Sequence, residues 1–410
     1  MSRRKGAPMH EVFKGSFTQQ EPISDEGVEA ALAVLKSGRL HRYNVAGDEA
    51  GEVALLEEEF AAFMGAKYCL AVASGGYALA CALRALGVAP AEPVLTNAFT
   101  LAPVPGAIAA LGAVPVFVGV TEGLVIDLDD LAARIAESGA RVLLLSHMRG
   151  HICDMDDLMA LCNAQGVQVV EDCAHTMGAS WRGTLSGRHG AAACYSTQTY
   201  KHMNSGEGGL LISDDPELMA RAIILSGSYM LYGRHRAAPP PESFEQIRYD
   251  TPNMSGRMDN LRAAILRPQL RSLKAQCEAW NARYRAVEKG LSETPGLTLI
   301  ERPAEEGYVA SSIQFLLLDW DCEAIAEVLA RCSARGVELK WFGGAEPTGF
   351  TSRYDSWRYA PSGPMPKSDR VLKGVIDMRL PLTFSLEDCA LIARILREEI
   401  GVVWQTAAAR

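Results

Sequence analysis

Lys201 sits in the stretch STQTYKHMNSGEGG, beside a glycine-rich turn at residues 205–209, and Glu171-Asp172 closes the apolar run VQVV. A loop amine and a strand-end carboxylate are the pair that pyridoxal phosphate (PLP) requires. The amine condenses with the cofactor's aldehyde, and the carboxylate keeps the ring nitrogen protonated so that the ring accepts electrons. Enclosure lowers the pKa of such an amine and frees it as a nucleophile. Taken singly, each residue also has a plain reading, as a surface lysine or a strand-end aspartate. A second block, Ala73-Ser74-Gly75-Gly76-Tyr77, leads from YCLAVA into the helical ALACALRAL. Small residues between a strand and a helix N-terminus leave amides free for an anion, so Ser74, Gly75 and Gly76 are candidates for holding a phosphate. The alternative is a tight strand-to-helix connection. Arg234-His235-Arg236 could pair with an anionic substrate or face solvent. Trp320, Trp341 and Phe342 could line a sugar pocket or sit in a core.

These residues need a frame. Between about residues 23 and 225, helical segments alternate with short apolar runs: Tyr68–Ala73, Pro93–Thr96, Val114–Val118, Arg141–Ser146, Val167–Glu171, Ala192–Ser196 and Gly209–Ile212. That rhythm predicts an α/β fold, a mainly parallel sheet with helices on both faces. Ligand sites in such sheets gather at the C-terminal ends of the strands. Asp127–Ser138 predicts a helix with Leu128, Leu131 and Ile135 on one face, acids in its first turn and Gly139 past its end. After residue 226 the pattern changes. Gly227–Pro252 reads as a long loop with Pro239-Pro240-Pro241, a long helix starts near Met258 with Pro268 expected to kink it, and Leu297–Arg410 mixes strands and helices as a smaller α+β region.

The chain has 410 residues, and 40 Lys+Arg against 49 Asp+Glu give a formal charge of −9. That deficit of cations argues against nucleic-acid binding by overall electrostatics. With 48% hydrophobic and 22% charged residues the composition is globular. The 10 cysteines form no CxxC and no zinc spacing, so they read as buried, reduced thiols of a cytoplasmic protein, and no metal is expected. The basic start, MSRRKGAPMHEVF, is followed by no apolar signal-peptide core, and no export is expected. The uncharged stretch Leu101–Val120 has the length of a membrane span, but its prolines and glycines divide it into a turn, a short helix and a strand.

In this order the blocks resemble the DegT/DnrJ/EryC1/StrS family of sugar aminotransferases, which have the aspartate aminotransferase fold (PLP fold type I). The resemblance runs from Gly38-Arg39 to the C-terminal region. It is most specific in EDCAH, in Lys201 with SGEGG, and in Arg257-Met258 followed by LRAAI. It implies a large PLP-binding domain over residues 1–268 and a small domain over 269–410. It also implies a homodimer with shared active sites, an amino-acid donor such as L-glutamate, and a keto-sugar acceptor, nucleotide-linked or free. By the same resemblance Lys201 is the Schiff-base lysine and proton carrier, Asp172 the partner of the ring nitrogen, and His175 a contact to the ring or its 3′ oxygen. Ser74, Gly75, Gly76 and Ser196 hold the phosphate, and Glu207 supports the loop.

Several positions depart from the family pattern. Gly76 replaces the usual Thr, with Tyr77 a candidate to compensate. Leu101 replaces the aromatic on the ring, with Phe99 the other candidate. Ser255 replaces an Asn that reaches the neighbouring subunit's phosphate, with Asn253 the candidate substitute. His147 matches a strand-end histidine of the family or is structural. Other readings remain at this point: a pyridoxamine-phosphate-dependent sugar dehydratase, whose members carry histidine in place of the lysine, a PLP-binding regulatory relative, and a lyase of the same fold. The acceptor's specificity is expected in residues 227–252 and in the segment beginning at Trp341.

Overall fold

The computed structural model describes residues 11–47 and 49–408, so most of the N-terminal stretch read as lacking an export signal lies outside the described residues. Seven strands form the central sheet: β1 (Tyr68–Val72), β2 (Pro93–Asn97), β3 (Val114–Val118), β4 (Val142–Ser146), β5 (Gln168–Asp172), β8 (Ala192–Ser196) and β9 (Gly209–Ser213), with the small hairpin β6 (Ser180–Trp181) and β7 (Thr184–Leu185) inserted before β8 and joined by β11 (Glu306–Gly307) from later in the chain. Their order is β1-β9-β8-β5-β4-β2-β3. Five of them, β3, β2, β4, β5 and β8, run parallel. β9 runs antiparallel to both of its neighbours, β1 and β8.

Side chains alternate between the faces of a strand, and here both faces are covered. Cys69 and Ala71 of β1 join one core, while Leu70 and Val72 join the other. The first core is completed by α2 (Glu52–Met64), α5 (Leu128–Ser138) and α6 (Met155–Ala164), through Leu56, Leu131 and Leu158. The second is completed by α3 (Gly75–Ala85), α4 (Pro103–Ala110) and α7 (Pro216–Ser226), through Leu79, Ile108 and Ile223. Double coverage explains why the strands read as apolar runs without alternation. The helix ends follow their signals: Asp127 accepts from the amides of Asp129 and Asp130, and Gly139 closes α5 at φ 64°. The uncharged stretch at 101–120 is α4, a turn and β3, and among the described residues no helix is long and apolar enough to cross a membrane.

The long helix α9 (Asn260–Leu291) contains Pro268 without being interrupted, and it is capped by Asp259 through the Arg262 amide. It packs on α1 (Asp25–Ser37), α2 and the C-terminal helix α12 (Leu386–Ala408). Beyond it, β10 (Thr298–Leu299), β12 (Ser312–Leu316), β14 (Val375–Arg379) and β13 (Lys340–Trp341) form an antiparallel sheet in that order. A third core of Ile313, Phe315, Ile376 and Met378 lies between this sheet and α12, α9 and α10 (Cys322–Ala334). Cys322 is exposed, contrary to the expectation that the thiols are buried, because it opens α10 on the solvent side; the other cysteines are buried and none is paired.

Candidate active site

The C-terminal ends of β5 and β8 face the N-terminus of α3 across a cavity lined by Gly75, Gly76, Leu101, Asp172, His175, Ser196 and Lys201, among others. The structure thus brings together Lys201, Asp172, His175, Gly75, Gly76 and Ser196, with Ser74 joining in the wider part, and leaves Asn253 outside. Asp172 is the last residue of β5. The Ser146 hydroxyl donates to its Oδ2 (2.9 Å) and the Ala174 amide to its Oδ1 (3.2 Å), which fix the carboxylate's plane. Its neighbour Glu171 points to the other face, fully buried, where it accepts from the amides of Gly187, His189 and Gly190 at 2.8–2.9 Å and contacts His147 Nε2 at 3.0 Å. His147 therefore serves as a structural partner of Glu171.

Lys201 lies in the connection between the adjacent antiparallel strands β8 and β9, a loop pinned by Thr197 N–H to Gly208 O (2.9 Å) and Ser205 N–H to Thr197 O (2.9 Å). Its Nζ is 2.9 Å from His175 Nε2. Burial, then the positive charges of Arg149, Arg379 and Lys340, bring the Lys201 amine down to about 7, against the opposing pull of Asp172. The His175 ring is held well below its usual value by burial and by Lys201, so the imidazole is neutral. An amine that gives up its proton so readily, beside a neutral imidazole, can serve as a nucleophile and a proton carrier.

At the cradle, Ser74 caps α3 by accepting from the Tyr77 amide (3.1 Å). A Cβ on Gly75 would lie 2.9 Å from Ser196 Cβ, and one on Gly209 would lie 2.4 Å from Ser74 O. Only glycines allow these chains to approach so closely. The helix N-terminus, the small residues, a fixed carboxylate and a depressed amine together fit PLP.

Some expectations fail here. Tyr77 does not replace the missing threonine hydroxyl, since its own hydroxyl donates to Leu225 O (3.0 Å), away from the cavity. Phe99 does not supply a stacking ring either. It is buried against Phe342 (ring centroids 5.2 Å), and Leu101 lines the cavity alone. Asn253 accepts from the amide and hydroxyl of Ser255 and lines none of this chain's cavity. His202, next to Lys201, sets its ring against Trp280 instead of the strand-end cavity.

The Arg234-His235-Arg236 triplet forms no anion site: Arg234 and Arg236 face solvent, as the plain reading expects, but each has a partner within the chain, and His235 is buried. Arg234 donates to Tyr43 O (2.6 Å), Arg236 pairs with Glu58 (2.7 Å), and buried His235 contacts Tyr43 Oη (2.8 Å) and the bidentate Arg42–Glu57 pair. Trp320 and Phe342 are core residues, and the Trp341 indole N–H donates to Lys373 O. The cavity, about 580 Å³ in its wider part, is instead walled by Phe350, Thr351 and Trp357. They lie in the segment expected to carry specificity, though sequence reasoning did not single them out. Residues 227–252 contribute nothing to its wall.

Known proteins resemble this chain in sequence and in fold. The SpsC spore coat polysaccharide biosynthesis protein of Bacillus subtilis is 33% identical over 282 residues, 67% of this chain and 69% of that one. The dTDP-3-amino-3,4,6-trideoxy-alpha-D-glucose transaminase of Streptomyces venezuelae is 33% identical over 278 residues, 66% and 67% of the two chains. The crystal structure of 3-amino-5-hydroxybenzoic acid synthase superposes with a TM-score of 0.80 at 26% identity, covering 94% of this chain and 99% of that one. The family model for DegT/DnrJ/EryC1/StrS aminotransferases matches residues 22–397, and the chain belongs to that family of PLP-dependent enzymes.

Proposed function

We propose that this chain moves the amino group of L-glutamate onto the ketone carbon of a keto sugar, nucleotide-linked or free, in amino-sugar biosynthesis. The observation that carries the reading is Lys201 Nζ, 2.9 Å from a neutral His175 and on the same cavity wall as Asp172. The relative named for a dTDP-sugar transamination supports an acceptor of that class. When bound, PLP supplies the aldehyde that takes up the amino group and the ring that accepts the electron pair released at the α carbon. Asp172, fixed by Ser146, would hold the ring nitrogen protonated. Ser74, Gly75, Gly76 and Ser196 would hold the phosphate, and His175 would contact the ring. Lys201 would take the proton from the substrate carbon and return it. Leu101 would press on the ring by apolar contact.

The test is an absorption titration of wild type and Lys201→Ala with PLP, then with L-glutamate. Wild type is expected to show the visible band of lysine-linked cofactor, lost in the variant and bleached by glutamate. A PLP-saturated wild type without the band would overturn the site. The intact Lys201 favours transamination over dehydration.

We also infer a cytoplasmic homodimer with shared active sites, in which Asn253 reaches the partner's phosphate. The inferred domains are residues 1–268 and 269–410. Light scattering should give twice the chain mass; a fully active monomer would contradict the shared site.

A further inference from the structure

The four-stranded sheet should have one apolar face against its helices, and it does; its other face carries Ser312 and Gln314 on β12, Asp377 and Arg379 on β14, and Lys340 on β13. Register explains their grouping: Gln314 and Lys340 are both paired with Asp377, and Ser312 is paired with Arg379. Residues two apart on a strand share a face. That face is turned toward the strand ends of the large sheet; Ser312, Gln314 and Asp377 on it are buried, and Lys340 and Arg379 are half-buried. Gln314 donates to Asp377 Oδ1 (2.7 Å) and Ser312 Oγ (2.8 Å), and its carbonyl meets His151 Nε2 (2.8 Å).

Arg149 enters this cluster from the large sheet, out of the turn after β4. Its backbone is held at φ 56°, a conformation that costs a non-glycine residue energy and is retained where the surroundings demand it. The guanidinium is buried, with Nη2 3.0 Å from Asp377 Oδ2, yet among the described residues neither its Nε nor its Nη2 makes a hydrogen bond, and neither does Lys340 Nζ. Arg379 lies with its guanidinium carbon 3.6 Å from the centre of the Tyr200 ring. Three cations thus gather around one carboxylate, which is within ion-pair distance of Arg149 alone among the described residues. Burial, with Arg149 and Arg379 adding to it against Asp377, lowers Lys340 to about 8. Unpartnered buried cations are costly unless an anion arrives from outside.

A cleft joins Arg149 and Arg379 to His175, Lys201 and Ser311, and it includes none of the phosphate-cradle residues Ser74, Gly75, Gly76 and Ser196. It is therefore a separate anion position within reach of the reacting amine. We propose that Arg149 and Arg379 form the subsite for the amino donor, binding the carboxylates of a dicarboxylic amino acid with Arg149 as principal contact, while Lys340, which does not line the cleft, adds its positive charge nearby. This rests on the aminotransferase reading above. A neutral hydroxylated acceptor gains nothing from unpaired cations, and the wider cavity walled by Phe350 and Trp357 has the room for it. A surplus of two positive charges matches two carboxylates, and an amide in place of one leaves a buried cation unpaired, the kind of mismatch a site rejects strongly.

The experiment measures the affinity of PLP-loaded protein for glutarate, a dicarboxylate that has no amine to react, and for its neutral diamide, by calorimetry. Wild type, Arg149→Gln, Arg149→Lys and Lys340→Gln are compared, with donor turnover of glutamate and glutamine in parallel. Arg149→Gln is expected to weaken glutarate by at least about tenfold, as removal of one buried ionic partner does. Arg149→Lys should recover part of the loss, Lys340→Gln should weaken glutarate less, and the diamide should bind all four proteins equally weakly. Wild type should turn over glutamate faster than glutamine. The Lys340 variant, on a two-residue strand, keeps the test decisive if Arg149→Gln fails to fold. Glutarate affinity unchanged in Arg149→Gln, or in Lys340→Gln where the former does not fold, overturns the subsite if the lysine-linked band is present. Absence of that band from wild type overturns the aminotransferase reading instead.

Discussion

At the scale of residues, the chemistry rests on an amine that loses its proton near physiological pH. Burial and Arg149 lower Lys201 to about 7, and only the unprotonated amine attacks an aldehyde. For the cofactor-free protein the rate of PLP association should therefore rise with pH through a midpoint near 7 and level off above it. Stopped-flow absorbance between pH 5.5 and 9 checks this; a rate still climbing tenfold per unit at pH 9 would contradict it. Lys201, Asp172, Ser74 and the glycines were legible because each lies in a local pattern, a strand end or a turn, that declares its position. Arg149 was not. The string HMRGH says nothing of a left-handed backbone, and Asp377 reaches it from a strand far along the chain. Arg234-His235-Arg236 was half legible for the converse reason: the two arginines face solvent as the string suggests, but the partners Glu57, Glu58 and Tyr43 lie in a distant segment and only folding brings them together.

At the scale of elements, the strands of the large sheet could be read almost to the residue, because double-sided burial leaves unbroken apolar runs. Orientation was less legible: the direction of β9 depends on the short connection carrying Lys201, which returns the chain beside β8 as antiparallel neighbours allow. Polar strands of the small sheet were also harder to read, since buried Ser312, Gln314 and Asp377 look like solvent-facing positions until their facing cations are known. Tight contact between β9 and the phosphate turn gives a direct test. In Gly209→Ala the new methyl would meet Ser74 O at 2.4 Å, and an overpacked backbone contact of this kind costs about 1–3 kcal/mol. PLP retention in equilibrium dialysis should fall about tenfold if about 1.4 kcal/mol of that cost is felt at the site, with a smaller shift in the denaturant midpoint. Unchanged retention would show that the turn yields without cost.

For the whole molecule, four histidines are buried with lowered pKa values. Burial is the largest cause for His151, His175, His202 and His235, followed by nearby cations. A histidine that is neutral when folded gains a proton on unfolding once the pH is below about 6.5. Stability should then fall with decreasing pH, by up to about 1.4 kcal/mol per unit for each such group. Glu57, which burial alone would raise, is drawn down to about 2 by Arg42 and His235, and it adds to the same trend below the ordinary carboxylate range. Chemical denaturation of the cofactor-free chain at pH 7, 6 and 5 should show a steadily falling midpoint, and a flat one would contradict the neutral histidines.

The glycine that opens β9 has a consequence for assembly. Gly209 is paired on one side with Val72, the last residue before the phosphate turn, and on the other with Ser196, the last residue before the lysine loop. One backbone position is therefore the shared reference mark for both halves of the site. If β9 slipped by a single residue, its side chains would exchange faces, and the anion cradle and the nucleophile would be misplaced in the same event. The site cannot be half right: a chain that holds the phosphate has, by the same pairing, already set the place of its amine.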